Sequence, residues 1–211
     1  MSELTFYTHP MSRGRIVRWM LEEVGIDYSV KAMEFDSEMK SEDYLAINPM
    51  GKVPVIKHGN TVVTEVAAIC AYLADQVPDK KLSPPPQSPE RGVYYRWLFF
   101  MAGPFEMATS AKAYNWKINS SNVQAVGCGQ VEDSINTLEK VLSENAYICG
   151  DQFTAADILV SSYLWWETMQ ENIPPKEVFK HYIERMESRP AAKRANELDD
   201  ELAKKMKPLS V

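Results

Sequence analysis

The chain has 211 residues, with 23 Lys and Arg against 29 Asp and Glu, a formal net charge of −6 at pH 7. The 45% apolar content is enough for a packed core, and no apolar run approaches the roughly 20 residues of a membrane helix. Residues 1–82 hold 9 basic and 12 acidic side chains, and residues 83–211 hold 14 and 17. Because neither half is basic, we expect no nucleic acid among the partners. Because no apolar run is long enough, we also expect no membrane.

The three cysteines, Cys70, Cys128 and Cys149, are odd in number, far apart and without a Cys-x-x-Cys pair. This pattern excludes a disulfide framework and a cysteine-rich zinc site, and it favours a reducing, cytoplasmic location. The three histidines are equally dispersed and lack the spacing of metal ligands. We therefore expect no bound metal.

The first part of the chain alternates between strand and helix patterns. Ser12 and Gly25 lie at the N-cap and C′ positions of the first helix, and Thr64 is the predicted N-cap of the third. Gly59-Asn60 predicts a tight hairpin. The predicted elements are strands over 4–8, 28–33, 53–58 and 61–63, and helices over 12–25, 37–47 and 65–75. Their order, β-α-β-α-β-β-α, predicts a small mixed sheet with helices.

Residues 82–89 (LSPPPQSP) hold four of the 13 prolines and predict an extended linker. Only helical patterns follow: 90–117 with a kink at Pro104, 124–143, 154–172, 175–189 and 191–207. Thr154 and Asp157 form a capping box at the start of one of them. We predict an α/β domain over 1–82, a linker over 83–91 and an all-helical domain over 92–211.

Pro54 is unusual because it lies inside a predicted strand, where it has no N–H for the ladder. Either Pro54 is trans at a strand start, or the Val53–Pro54 bond is cis, which would turn the Val53 main chain outward to pair with a peptide-like ligand. We predict the cis bond and the pairing of Val53 with the ligand backbone. The helix that begins at residues 64–66 offers N–H groups and a dipole to a carboxylate. The two features together favour a receptor for a short acidic peptide, and glutathione is such a peptide.

Four segments resemble motifs of the cytosolic glutathione S-transferases, and the resemblance covers essentially the whole chain. They are residues 7–15 (YTHPMSRGR), 48–55 (NPMGKVPV), 64–69 (TEVAAI) and 153–158 (FTAADI). The first helix is most similar to a bacterial and fungal branch that is neither plainly tyrosine-type nor plainly cysteine-type. The resemblance implies a thioredoxin-like α/β domain, an all-α domain, a homodimer and a role in detoxification. The glutathione contacts that it implies are Lys40, Lys52, Val53, Pro54, Glu65 and Val66.

Val66 departs from the family pattern, which usually has a serine there whose hydroxyl binds the γ-glutamyl carboxylate. Loss of such a charge-assisted bond, worth about 1.5–3 kcal/mol, predicts roughly tenfold weaker glutathione binding or more. A second departure is that residues 1–69 contain no cysteine. A mixed disulfide with a protein thiol near the first helix is therefore excluded.

Two hydroxyls compete to stabilise the thiolate of bound glutathione, because a free thiol is only about three per cent ionised at pH 7. Ser12 lies at the start of the first helix and is followed by Arg13, which adds positive potential. Tyr7 ends the first strand and resembles the residue used by tyrosine-type members. The resemblance favours Ser12. Phe105 and Tyr114 are the predicted contacts of a hydrophobic substrate.

The expected activity is glutathione transfer, with glutathione as co-substrate and no metal. The bound thiolate would attack an electrophilic carbon of a small hydrophobic compound. Val66 favours an alternative, a non-catalytic regulator or ligand carrier of the same fold. A glutathione-dependent peroxidase would use the same thiolate and is a further alternative.

Overall fold

A computed structural model describes residues 3–35 and 37–207, so the predicted domain ends at residues 1 and 211 lie outside the described residues. The described residues form two compact units. The first extends to Lys80 and takes up the chain again from Arg189, and the second is Lys81–Ser188.

The first unit contains a four-stranded mixed sheet. Its strands are β1 Leu4–Thr8, β2 Ser29–Ala32, β3 Val55–His58 and β4 Thr61–Val63, in the order β2-β1-β3-β4. Strand β1 is parallel to β2 and antiparallel to β3, and β3 pairs antiparallel with β4. The helices are α1 Gly14–Val24, α2 Glu42–Leu45 and α3 Val66–Asp75. The predicted fold class and element order are confirmed.

The middle helix of this unit differs from the prediction of one weak helix over 37–47. A 3₁₀ turn, Glu38–Lys40, precedes α2. Ser41 separates the two because its backbone is extended, and its hydroxyl accepts the Tyr44 N–H at 3.3 Å, which caps α2. The C-terminal end of α1 is as predicted: Gly25 has φ 63° and its N–H bonds the Leu21 carbonyl.

The second unit is helical. Its helices are α4 Glu90–Phe100, α5 Glu106–Ala113, α6 Val131–Glu144, α7 Ala155–Met169 and α8 Glu177–Glu187. The predicted kink at Pro104 is a π-helical turn, Met101–Phe105, that joins α4 to α5. Helix α6 begins seven residues later than predicted, because Gln130 and Asp133 form a capping box that fixes its start.

The last helix, α9 Pro190–Ala203, groups with the first unit, whereas its sequence position predicts that it belongs to the helical domain over 92–211. Ion pairs link α9 to α1. The Arg18 guanidinium on α1 bonds the Asp199 carboxylate on α9 at 3.1 Å, and both side chains are almost fully buried. Arg189 also donates to Glu23 at 2.6 Å. In the described part of the chain, no helix is long and apolar enough to cross a membrane.

Candidate functional site

Ser12 lies in the tight turn between β1 and α1. Its hydroxyl donates to the His9 carbonyl at 2.7 Å and accepts the Gly14 N–H at 2.9 Å. The N-cap residue itself is Arg13, one position later than predicted, and Arg13 is exposed. Ser12 thus satisfies an N–H of the first turn of α1 with its side chain, and the same N–H polarises its hydroxyl.

Gly14 is required where α1 approaches the end of β1. A Cβ at this position would lie 2.0 Å from the Thr8 hydroxyl oxygen, a distance that no side chain tolerates. The absence of a side chain therefore lets the first turn of α1, with Ser12, sit directly against the strand end.

Tyr7, the competing hydroxyl, belongs to an apolar cluster. Its ring is only 5% exposed and packs with Met39, Tyr44 and Val55. The Tyr7 and Tyr44 ring centroids are 5.7 Å apart. This environment gives Tyr7 a packing role, and its action on a thiol stays a prediction.

The loop before β3 is held by two donors that converge on one carbonyl. The Tyr44 hydroxyl and the Asn48 side-chain amide donate to the Lys52 carbonyl at 2.7 and 2.8 Å. Burial raises the pKa of Tyr44 to about 12, so it remains a donor at neutral pH. Gly51 has φ 58°, and a Cβ there would lie 2.5 Å from the Met39 carbonyl oxygen. The loop is thereby fixed immediately before Val53.

Val53 lies outside the sheet ladder. Strand β3 begins at Val55, which pairs with Tyr7. The Val53–Pro54 peptide bond is cis. Within the described ranges, no other residue hydrogen-bonds the main chain of Val53, and its side chain is half-buried.

The start of α3 is open. Its N-cap is Glu65 rather than the predicted Thr64, with φ 64° and ψ 119°, and the Glu65 side chain makes no capping hydrogen bond. A non-glycine residue in such a conformation costs about 1–3 kcal/mol, and strain of this kind concentrates at ligand and active sites. Glu65 is exposed and Val66 half-buried. The first-turn N–H groups are thus without a cap from the N-cap side chain and are suited to an anion.

Both lysines that were predicted to contact glutathione, Lys40 and Lys52, are exposed. The Lys40 ammonium donates to the Met50 carbonyl at 3.0 Å, which places a cation on the loop that ends at Val53. Lys52 lies on that loop itself. Within the described ranges, no group of three His, Cys, Asp or Glu is arranged to hold a metal ion.

The two predicted contacts of a hydrophobic substrate differ sharply in exposure. Phe105 is fully buried and meets the Tyr163 ring edge-on, so in this structure it is a core residue that offers no surface to a ligand. Tyr114 is 73% exposed and stacks on Trp116. A cavity of about 490 Å³ in the same unit is lined by other residues, among them Met107, Ser110, Trp116 and Cys128.

His9 is not among the site residues predicted from the sequence. The structure places it directly after β1, 1% exposed, with Nδ1 accepting the Met11 N–H at 3.0 Å. An isolated histidine carries no periodic or spacing signal, so nothing in the sequence pointed to this bond.

A βαβαββα unit of the thioredoxin-like type and a helical unit define the class of protein. The family models for the glutathione S-transferase N-terminal and C-terminal domains match residues 11–76 and 104–190. Glutathione S-transferase GstA of Escherichia coli O157:H7 is 28% identical over 181 residues, which are 81% of this chain and 86% of that protein. Glutathione S-transferase 1 of Schizosaccharomyces pombe is 29% identical over 184 residues, 82% of this chain and 78% of that protein.

Solved structures agree with the family models. A glutathione transferase from Methylococcus capsulatus superposes with a TM-score of 0.79 at 25% identity, covering 93% of this chain and 98% of that one. A glutathione transferase from Phanerochaete chrysosporium in complex with oxidized glutathione has a TM-score of 0.74 at 25% identity, covering 95% and 98%. The chain belongs to the glutathione S-transferase family.

Proposed function

We propose that the protein is a glutathione transferase that joins glutathione to small hydrophobic electrophiles. The observation that carries the proposal is the Ser12 hydroxyl, held at the first turn of α1 by the Gly14 N–H at 2.9 Å. Val53, whose main chain is outside the sheet, lies in the same unit as the start of α3, which has no side-chain cap. Both features support a peptide site in this unit.

Each part of glutathione has a counterpart in the proposed site. The Val53 main chain pairs with the peptide backbone, and the N–H groups at Glu65 and Val66 bind the γ-glutamyl carboxylate. Lys40 and Lys52 supply positive charge for the glycyl carboxylate. Pro54 lies between Val53, where this pairing takes place, and the start of β3.

In the proposed mechanism the bound thiol loses its proton to water, and the thiolate then attacks. The Ser12 hydroxyl turns its hydrogen from the His9 carbonyl to the sulfur, while the Gly14 N–H continues to polarise its oxygen. The helix dipole and Arg13 add positive potential. A carbon–sulfur bond forms, the leaving group departs with the electron pair of its own bond, and no metal takes part.

A non-catalytic regulator or ligand carrier is the second candidate, and Val66 is the observation that favours it. Calorimetry with glutathione, followed by a panel of electrophiles and an organic hydroperoxide, separates the candidates. Binding with conjugation supports the transferase, and turnover of the hydroperoxide alone supports a peroxidase. Binding without turnover supports the carrier, and no binding at millimolar glutathione overturns the transferase and favours the non-catalytic regulator.

We also propose that the chain forms a homodimer. Phe99 and Tyr95 on α4 are 71% and 40% exposed, and large apolar side chains in such positions are suited to a protein interface. Sedimentation at micromolar concentration tests this proposal. A species of 24.0 kDa, the mass of one chain, would contradict it.

A further inference from the structure

His9 closes the turn that carries Ser12 with three hydrogen bonds. Its ring Nδ1 accepts the Met11 N–H at 3.0 Å. Its main-chain carbonyl accepts the Ser12 N–H at 3.1 Å and the Ser12 hydroxyl at 2.7 Å. One residue therefore fixes both the backbone of the turn and the side chain at its end.

The surroundings of the His9 ring indicate that the hydrogen bond accepted by Nδ1, and not the packing of the ring, requires a histidine at this position. The ring packs on Phe35 with centroids 4.0 Å apart and is 1% exposed. Because Nδ1 accepts, the ring hydrogen is on Nε2, which is buried with no partner in the described part of the chain. A buried donor without a partner destabilises the fold, and a purely apolar ring would avoid this cost.

Burial also favours the form of His9 that can accept. It lowers the pKa of His9, against an opposing effect of the Glu34 carboxylate, so the neutral ring predominates at neutral pH. A protonated ring would turn an N–H toward the Met11 N–H and lose the bond.

We propose that His9 is a positioning residue for thiol activation: its Nδ1 holds the Met11 N–H and thereby keeps the Ser12 hydroxyl at the start of α1. This inference rests on the proposed function. A donor has to meet the reacting atom in near-ideal geometry, and a displacement of about 1 Å lowers turnover by up to about 10²-fold. A more mobile turn would displace the Ser12 hydroxyl and lower turnover, although His9 itself does not contact the substrate.

Two substitutions of His9 distinguish the role of its hydrogen-bond acceptor, Nδ1, from the role of ring packing. His9→Phe keeps an aromatic ring against Phe35 and removes the acceptor. His9→Asn removes the ring but keeps an acceptor, since an asparagine side chain bonds the N–H two residues on in an Asx-turn. His58→Phe is the matched control, because His58 also bonds through Nδ1, to the Tyr72 hydroxyl at 2.8 Å, and is remote in sequence from the turn.

Amide exchange at Met11 and Ser12 is measured together with kcat and the Kd for glutathione. We expect His9→Phe to speed exchange and to lower kcat by about 10- to 100-fold, with Kd changed less than about threefold. We expect His9→Asn to recover most of both losses, and His58→Phe to leave the exchange of the turn unchanged.

The reverse ranking, with His9→Phe closer to the wild type than His9→Asn, would overturn the inference and leave His9 a packing role. If the wild-type protein binds glutathione but turns over no substrate, the proposed function fails. Amide exchange alone then decides whether the acceptor of His9 holds the turn, so the two failures are distinguishable.

Discussion

The starts of α3 and α7 differ in whether a side chain of the protein accepts hydrogen bonds from the backbone N–H groups there. At α7, the fully buried Asp157 carboxylate accepts the N–H groups of Thr154 and Ile148 at 2.8 and 2.7 Å and the Tyr182 hydroxyl at 2.7 Å. At α3, the exposed Glu65 has a strained backbone, and its side chain caps nothing. The start of α7 is closed by a side chain of the protein itself, and the start of α3 is left open.

The chain uses some helix starts for stability and leaves others to a ligand. Each helix begins with N–H groups that need an acceptor. Where the acceptor is a buried side chain of the protein, the helix start stabilises the fold. Where it is missing and the backbone is strained, an anionic ligand is the natural acceptor. Helix α1 combines the two, because the Ser12 oxygen accepts the Gly14 N–H while its hydrogen is able to turn to a ligand.

Removal of the Asp157 carboxylate at the start of α7 should lower the free energy of unfolding more than any other substitution considered below changes it. Asp157→Ala leaves two N–H groups and a buried hydroxyl without their acceptor, and we expect the free energy of unfolding to fall by about 3–5 kcal/mol. Denaturant unfolding measures this loss. The control is Asp133→Ala in the exposed capping box of α6, where we expect about 1 kcal/mol or less. Equal losses in the two variants would contradict the comparison.

Ser12→Ala tests the intermediate case of α1. We expect kcat to fall by about 10²-fold, as for loss of one donor to a developing anion, and the apparent pKa of the bound thiol to rise. Glutathione affinity should change little, because the bond acts mainly on the charged form. The pH profile of kcat/KM and calorimetry measure these effects. Tyr7→Phe serves as the control, and a larger loss there would transfer the role to Tyr7.

Val66→Ser tests whether the open start of α3 binds the carboxylate of glutathione, because it adds the hydroxyl that the family usually has. We expect glutathione to bind about tenfold more tightly, the effect of one added hydrogen bond to a charged group. Calorimetry measures the change. Ala68→Ser, in the same first turn and exposed, is the matched control and should have no such effect. An unchanged affinity for Val66→Ser would place the carboxylate elsewhere.

Features that depend on local sequence were predictable. The strands of the first unit, the Gly25 end of α1 and the Thr154–Asp157 box all follow from period, turn residues or capping within a few positions. The predicted start of α6 was wrong because apolar spacing continues before the box at Gln130, and only the box sets the helix start.

Features that depend on distant contacts were not predictable. The grouping of α9 with the first unit requires Arg18 to meet Asp199, which is 181 positions away. The burial of Phe105 depends on packing around the turn Met101–Phe105, since an aromatic residue at helical spacing faces core or cavity equally well. Of the candidate site, the motifs indicated Val53 and Ser12, but the strain at Glu65 and the bond to His9 needed coordinates.

The closed start of α7 is also expected to make the free energy of unfolding depend on pH. Burial raises the pKa of Asp157 to about 6, outweighing the hydrogen bonds that favour the carboxylate. Since its pKa in the unfolded chain is about 3.9, the folded state binds the proton more tightly. Asp157 therefore adds stability as pH falls from about 6 toward 4, by at most about 1.4 kcal/mol per pH unit.

Asp157→Asn cannot titrate, so the difference in unfolding free energy between the wild type and this variant isolates the effect. We expect the difference to shift in favour of the wild type as the pH is lowered through this window, in denaturant titrations at matched ionic strength. A shift in the opposite direction would mean that the hydrogen bonds from Thr154, Ile148 and Tyr182 outweigh burial. The closed start would then be a charged cap, stabilised by the same donor chemistry that the open start offers to a ligand.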